Sequence, residues 1–190
     1  GTATISATTP GFTTPTPITQ TVLQPAVDII FLTTSTTSLS PNSTFQVRVG
    51  VANSPTNTAM QVEESIRFGG TPVTATITDT SAVVSQLVTT ATTGISVTTP
   101  ITVGTARNPS SVATGGVEFD PLAAGIQRVH VAIPGFLVLP SASVTVTVTA
   151  PALTLNATNA VGSGLQISAS GNLGAAQHGG VTVHLVSSDP

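Results

Sequence analysis

The sequence predicts an all-β protein of the sandwich type, and three observations predict it. Apolar and polar residues alternate with period two over many short runs, the pattern of strands with one buried and one solvated face. The alternating residues are largely Val and Thr, β-branched and stiff at the first side-chain torsion, which favours strand over helix. Turn formers stand between the runs: Ser40-Pro41-Asn42, Asn53-Ser54-Pro55, Asn108-Pro109, Gly115-Gly116 and Gly162-Ser163-Gly164. Short strands punctuated in this way stack as two packed sheets.

The elements follow in order. Ala3, Ile5 and Ala7 alternate with Thr4 and Ser6, and further strands are expected at 17–22 and 28–32. Phe45, Val47, Val49 and Val51 face one way and Gln46, Arg48 and Gly50 the other. An alternating run starts at Val73 and ends at Thr78, and a strand is expected at 84–88. Next come strands at 116–119 and 129–132, then Val144, Val146 and Val148 alternating with Thr145, Thr147 and Thr149. The last expected strands are 152–156, 165–170 and the run in which Val181, Val183 and Leu185 alternate with Thr182 and His184. A slip of one residue would turn each apolar set to solvent, so the pattern specifies register. One stretch carries helix signals: Asp120 as cap, Pro121 at the first position and Gly125 as stop. Only four residues separate cap from stop, so a tight connection between strands is expected there.

The chain also repeats itself. Pro10-Gly11-Phe12 recurs as Pro134-Gly135-Phe136, 124 residues later, each time after a short strand-like run. A Thr/Val stretch and then Pro-Ala follow in both copies, at Pro25-Ala26 and Pro151-Ala152, an offset of 126 residues. Gly69-Gly70 and Gly179-Gly180 each precede an alternating run. Self-similarity of this kind marks an array of modules. Residues 1–24 are expected to be the closing strands of one module, 25–150 a complete module with an insertion near 53–67, and 151–190 the opening strands of the next. Gly1 reads as an internal or processed start, and Asp189-Pro190 as a chain entering a turn.

Charge is sparse. The 190 residues hold four Arg, no Lys and seven acidic residues, 6% charged in all, where soluble domains carry about a quarter. Dispersed Arg48, Arg67, Arg107 and Arg128 argue against a nucleic-acid partner, which requires clustered cations. The chain has no Cys, Trp or Tyr, which excludes disulfides and thiolate metal sites and leaves no aromatic platform for a sugar. No run of 18 apolar residues is present, so no helical membrane span is expected.

Several segments resemble a known family. The opening run Gly1-Thr-Ala-Thr-Ile-Ser-Ala-Thr-Thr-Pro-Gly-Phe12 resembles the closing strands of bacterial Ig-like modules of the invasin and intimin kind. Gly179-Gly-Val-Thr-Val-His-Leu-Val-Ser-Ser-Asp-Pro190 is similar to an early strand and turn of such modules. Gly115-Gly-Val-Glu-Phe-Asp-Pro-Leu-Ala-Ala-Gly125 and Val161-Gly-Ser-Gly-Leu-Gln166 are similar to segments of very large, repetitive secreted bacterial proteins. The resemblance implies Ig-like β-sandwich modules in tandem, in a secreted or cell-surface protein, with no catalytic residues to carry over. The repeat spacing exceeds the roughly 100 residues of a standard module.

Chemistry-bearing patterns are few. His130, His178 and His184 lack the close pairing of a zinc site, and no Gly-x-Ser-x-Gly elbow occurs. Calcium, which takes carboxylate and carbonyl oxygens, is the metal the acids could serve. Glu118 and Asp120 form an i, i+2 pair at a strand end, Glu63-Glu64 lies in the insertion, and Asp28 opens a strand after the module boundary. These five are the candidate ligands, with Asp79 and Asp189 in comparable turns. Asn42-Ser43-Thr44 and Asn156-Ala157-Thr158 match glycosylation acceptors but read as polar turn and strand residues.

The expected function is therefore a non-enzymatic structural repeat of an extracellular filament or bacterial surface stalk, with no cofactor beyond candidate calcium. Its partners would be copies of itself or adjacent repeats, head to tail. The two end pieces are together small for a full sandwich, so a shared or incomplete module, or further intervening sequence, is expected at the joint. The alternative is an adhesive module that binds a surface or matrix ligand through the stretch 53–68.

Overall fold

The alternation builds two sheets around one apolar layer. The computed structural model describes residues 1–157 and 160–186. Its strands are β1 (Thr2–Ile5), β2 (Ile18–Thr21), β3 (Pro25–Ile30), β4 (Ser35–Thr37), β5 (Ser43–Ala52), β6 (Met60–Glu63), β7 (Val73–Asp79) and β8 (Ser85–Val88). There follow β9 (Thr93–Gly94), β10 (Ser96–Ile101), β11 (Val117–Pro121), β12 (Gly125–Ala132), β13 (Leu137–Val138), β14 (Ser143–Thr149), β15 (Thr154–Asn156) and β16 (Ser170–Asn172). Short 3-10 turns occupy Val112–Thr114 and Pro140–Ala142.

One sheet has the order β10-β7-β12-β14-β4, the other β13-β3-β5-β11-β8-β9 with β6 also paired to β5. Ala75 and Ile77 of β7 are buried while Thr74, Thr76 and Thr78 are exposed. From the facing sheet come Val27, Ile29, Phe45, Val47, Leu87 and Phe119, all buried in the same core cluster. The immunoglobulin layout sets strands A-B-E-D against C-F-G; β3-β5-β11-β8 and β7-β12-β14 occupy those places. The chain adds short strands to that layout, β13 outside the A place, β9 outside D and β4 outside G, and β10, which flanks β7, follows the strand in the D place and does not precede it.

The first edge strand is shared between the sheets. β3 runs antiparallel to β5, and after a break the chain re-enters as β4, parallel to β14. The break falls at Phe31, a non-glycine residue with φ of 67°, a conformation that costs about 1–2 kcal/mol for an L-residue.

Several sequence expectations shift. Ala52, not Val51, is buried at the end of β5: it keeps the outer phase of Arg48 and Gly50, and with Ala26 and Leu139 it forms a second small cluster against which Met60 and Leu137 pack. The stretch Asp120–Gly125 is a connection, with Pro121 still in β11 and Gly125 opening β12. The expected insertion contains a strand, β6. In place of the expected strand at 165–170 there is only the start of β16 at Ser170, and the run 181–185 forms no strand.

The two arms flanking the body differ from it. Among the described residues, every buried apolar one lies between Ala26 and Val148. Residues 1–24 are exposed throughout, and no described residue after Ala150 is buried. The N-terminal arm nevertheless copies part of the body in detail. β1 and β2 pair with Ile5 opposite Ile18 and Ala3 opposite Gln20. β12 and β14 pair with Val129 opposite Val144 and Gln127 opposite Val146. These are the same registers under the sequence offsets of 124 and 126 residues. Gly11 and Gly135 have φ of 83° and 82°. In each copy the phenylalanine N–H donates to the residue three before it, Phe12 to Thr9 and Phe136 to Ile133.

Candidate functional site

Two features stand out from the polar, nearly uncharged surface: a chain of four charges on one sheet, and the apolar faces of the arms. Asp28 and Arg48 sit directly opposite each other on β3 and β5, both in the outward phase. Asp28 is only 1% exposed, because the segment around Ser141 covers it. Arg48 donates to both its oxygens, from Nε at 2.7 Å and Nη2 at 2.9 Å, and Ser141 Oγ adds a third bond at 3.0 Å.

Arg48 reaches on through Nη1 to Glu63 Oε1 on β6, at 3.1 Å. Arg107, on the connection between β10 and β11, grips the same carboxylate with Nε at 2.8 Å and Nη2 at 2.6 Å. Its guanidinium lies 5.7 Å from the centre of the Phe31 ring, a cation–π contact at the strained residue. Asp28, Arg48, Glu63 and Arg107 thus alternate in sign. Bidentate pairing suits the planar guanidinium and makes such contacts specific in geometry. The hydrogen bonds to Asp28 raise the Arg48 pKa further. Those from Arg107, then from Arg48, hold the Glu63 carboxyl below its ordinary range.

Close packing seats β6. A β-carbon at Gly50 would lie 2.0 Å from the Val62 carbonyl oxygen and 2.9 Å from the Glu63 Cα. Only glycine lets the chain that carries Glu63 approach β5 this closely.

The five candidate calcium ligands are therefore distributed as follows. Asp28 and Glu63 come together, but around arginines that already supply the positive charge. Glu64 is exposed beside them. Glu118 and Asp120 share the outer face of β11, as the i, i+2 spacing requires. Glu118 Oε2 accepts from Asn42 Nδ2 at 3.3 Å, and Asp120 Oδ2 from Gln86 Nε2 at 2.7 Å. Among the described residues no group of three or more His, Asp or Glu side chains is placed to hold a metal ion. Asp79 ends β7 buried, accepting from Ser85 Oγ at 2.5 Å and from the Ser81 N–H; burial raises its pKa. Asp189 and Thr158 lie outside the described residues. His130 is half-buried on β12, while His184 is exposed.

The stretch 53–68 is a self-satisfied turn followed by β6. Asn53 Oδ1 accepts from the Thr58 and Ala59 N–H groups. Beyond β6, Phe68 is 88% exposed. Arg67, Gly69, Gly70, Pro25 and Phe136 help line a hollow of about 440 Å³.

The arms expose apolar residues at positions whose counterparts in the body are core. Ile5 is 60% exposed, while its counterpart Val129 is buried. Val22 corresponds in the same way to buried Val148, and Leu153 and Leu155 to buried Val27 and Ile29. Leu153 and Leu155 also line an apolar hollow of about 320 Å³ with Leu173, Val183 and Leu185. Among the described residues no helix is long and apolar enough to cross a membrane. In comparison with known proteins, no family model matches the chain and no curated protein is significantly similar to it.

Proposed function

We propose that this chain is a structural repeat of an extracellular filament or bacterial surface stalk, non-enzymatic, in which Ig-like sandwich modules follow one another and the arms belong to joints between modules. The observation that carries the reading is the pairing register of β1 and β2, which reproduces that of β12 and β14 residue for residue while leaving the corresponding apolar side chains in solvent. A surface that holds core-type residues in a core-type register is half of an interface. Neighbouring modules, covalently joined or as separate subunits, supply the other half. Pairing them covers edges that would otherwise recruit strands without control.

The charge chain fits a load-bearing body. It ties β3, β5, β6, the connection before β11 and the segment before β14, with Arg48 bonded to a carboxylate on two sides and Arg107 to one, close to where the N-terminal arm enters. The reading does not require calcium at Glu118 and Asp120, since both already accept from protein donors. The adhesive alternative draws its support from Phe68, exposed beside Arg67 and the adjacent hollow.

Electron microscopy of the native secreted material tests the reading. Beaded filaments with a regular axial repeat are the expected result. Isolated, monodisperse particles would remove the filament and leave the adhesive module as the better account.

A further inference from the structure

We infer the register of the joint: Thr13 and Thr14 of one unit run parallel to Ala152 and Leu153 of its neighbour, so that the N-terminal arm of one copy of this chain docks on the C-terminal arm of another. This deepens the function proposed above and rests on it.

The complete body supplies the template. There, the chain just after Pro134-Gly135-Phe136 forms β13 and pairs in parallel with the chain just after Pro25, Leu137 opposite Ala26 and Val138 opposite Val27. Both partners have counterparts in the arms. The Pro-Gly-Phe equivalence carries Leu137 and Val138 to Thr13 and Thr14, and the equivalent turn geometry at Gly11 and Gly135 keeps the exit direction the same. The Pro-Ala equivalence carries Ala26 and Val27 to Ala152 and Leu153. Within one copy these two segments sit at opposite ends of the chain, on arms that flank the same body.

Burial agrees with the docking. In the body, Val27 packs in one cluster with Val129 and Val148. Their counterparts Leu153, Ile5 and Val22 are all exposed. Bringing the two arms together in the template register returns all three to one apolar layer, with the hollow beside Leu153 and Leu155 as the receiving surface. The occupant is a second copy of this chain: among the described residues the matching strand pair occurs at β12 and β14, which are already packed in the body, and at β1 and β2 of the 1–24 arm, whose apolar side chains are exposed.

The chain has no cysteine, so the test is clean. Paired neighbouring strands lie about 4.8 Å apart, within the Cα separation a disulfide accepts. The double variant T13C/A152C, oxidised at a concentration where the unmodified chain sediments as oligomers, is expected to give a reducible ladder of dimers, trimers and longer species. The double variant T13C/N156C, displaced by four residues or about 13 Å, is expected to give no ladder. Each substituted side chain is solvent-exposed, so folding of the body is not at stake. Equal ladders from both variants, a disulfide confined to monomers, or oligomers without a ladder would overturn the register and leave assembly standing. A chain that sediments only as a monomer would overturn both the register and the filament reading.

Discussion

Arg48→Met isolates the contribution of the charge chain. The substitution keeps the apolar stem and removes the guanidinium that gives Asp28 two of its three hydrogen bonds. Asp28 is 1% exposed, so its carboxylate would remain buried beside Ser141 alone. Removing one partner of a buried pair costs about 3–5 kcal/mol. The Arg48 side chain is itself 26% exposed, and water reaching the vacated space lowers the expected loss to about 2–4 kcal/mol. With a urea slope near 2 kcal/mol/M, the unfolding midpoint falls by about 1–2 M. Two further variants fix the cause. Asp28→Asn together with Arg48→Met removes the stranded charge and recovers most of the loss. Arg107→Met, at a side chain 38% exposed, costs about 1 kcal/mol or less, as exposed pairs do. The reasoning is refuted if R48M costs no more than R107M, or if the double variant is as unstable as R48M.

Three other outcomes follow from the same geometry. Gln127 is buried on the core face of β12, and neither its amide oxygen nor its nitrogen has a hydrogen-bond partner; Gln127→Met keeps the shape and should raise stability by about 1–3 kcal/mol in the same urea assay, whereas a loss would show that the amide is satisfied in solution. Two carboxyls give opposite pH dependence. Burial raises Asp79 above its ordinary 3.8, so its contribution is fullest below that value and is lost as pH rises through the raised one. Glu63 is held below its ordinary 4.5, so its contribution is present above that value and is lost as pH falls through the lowered one. Thermal melts across pH 3 to 7 should therefore show Asp79→Asn gaining on the wild type as pH rises, and Glu63→Gln gaining on it as pH falls; parallel curves would contradict the assignments. Chelation of calcium should leave Tm unchanged, because the candidate carboxylates already hold protein donors; a fall of about 2–4 °C, about 1 kcal/mol for a chain of this size, would restore an ion to Glu118 and Asp120.

Long alternating strands were legible in the sequence because each buries one face: β7 and β14 appear where Val73 to Thr78 and Val144 to Val148 place them. β4, β9 and β13 span two or three residues, too few to carry a period. β10 was hidden by Pro100, which breaks a strand pattern yet is tolerated on the sheet edge that β10 occupies. The runs at 165–170 and 181–185 have the pattern without the strand, since alternation specifies a face but a strand needs a partner. The charge chain was not legible. Its carboxylates at Asp28 and Glu63 looked like metal ligands because the arginines that take them stand 20 and 44 residues away. The available signal was that Asp28 and Arg48 both occupy the outward phase of successive long strands, where a sheet could set them opposite each other.

Hydrogen exchange measured against protein concentration tests the assembly reading most directly. If the arms complete one another between units, amides in 1–24 and 151–186 become protected as concentration rises, while those between Pro25 and Thr149 keep the same protection throughout. Arms that exchange freely at every concentration, around an unchanged body, would contradict it.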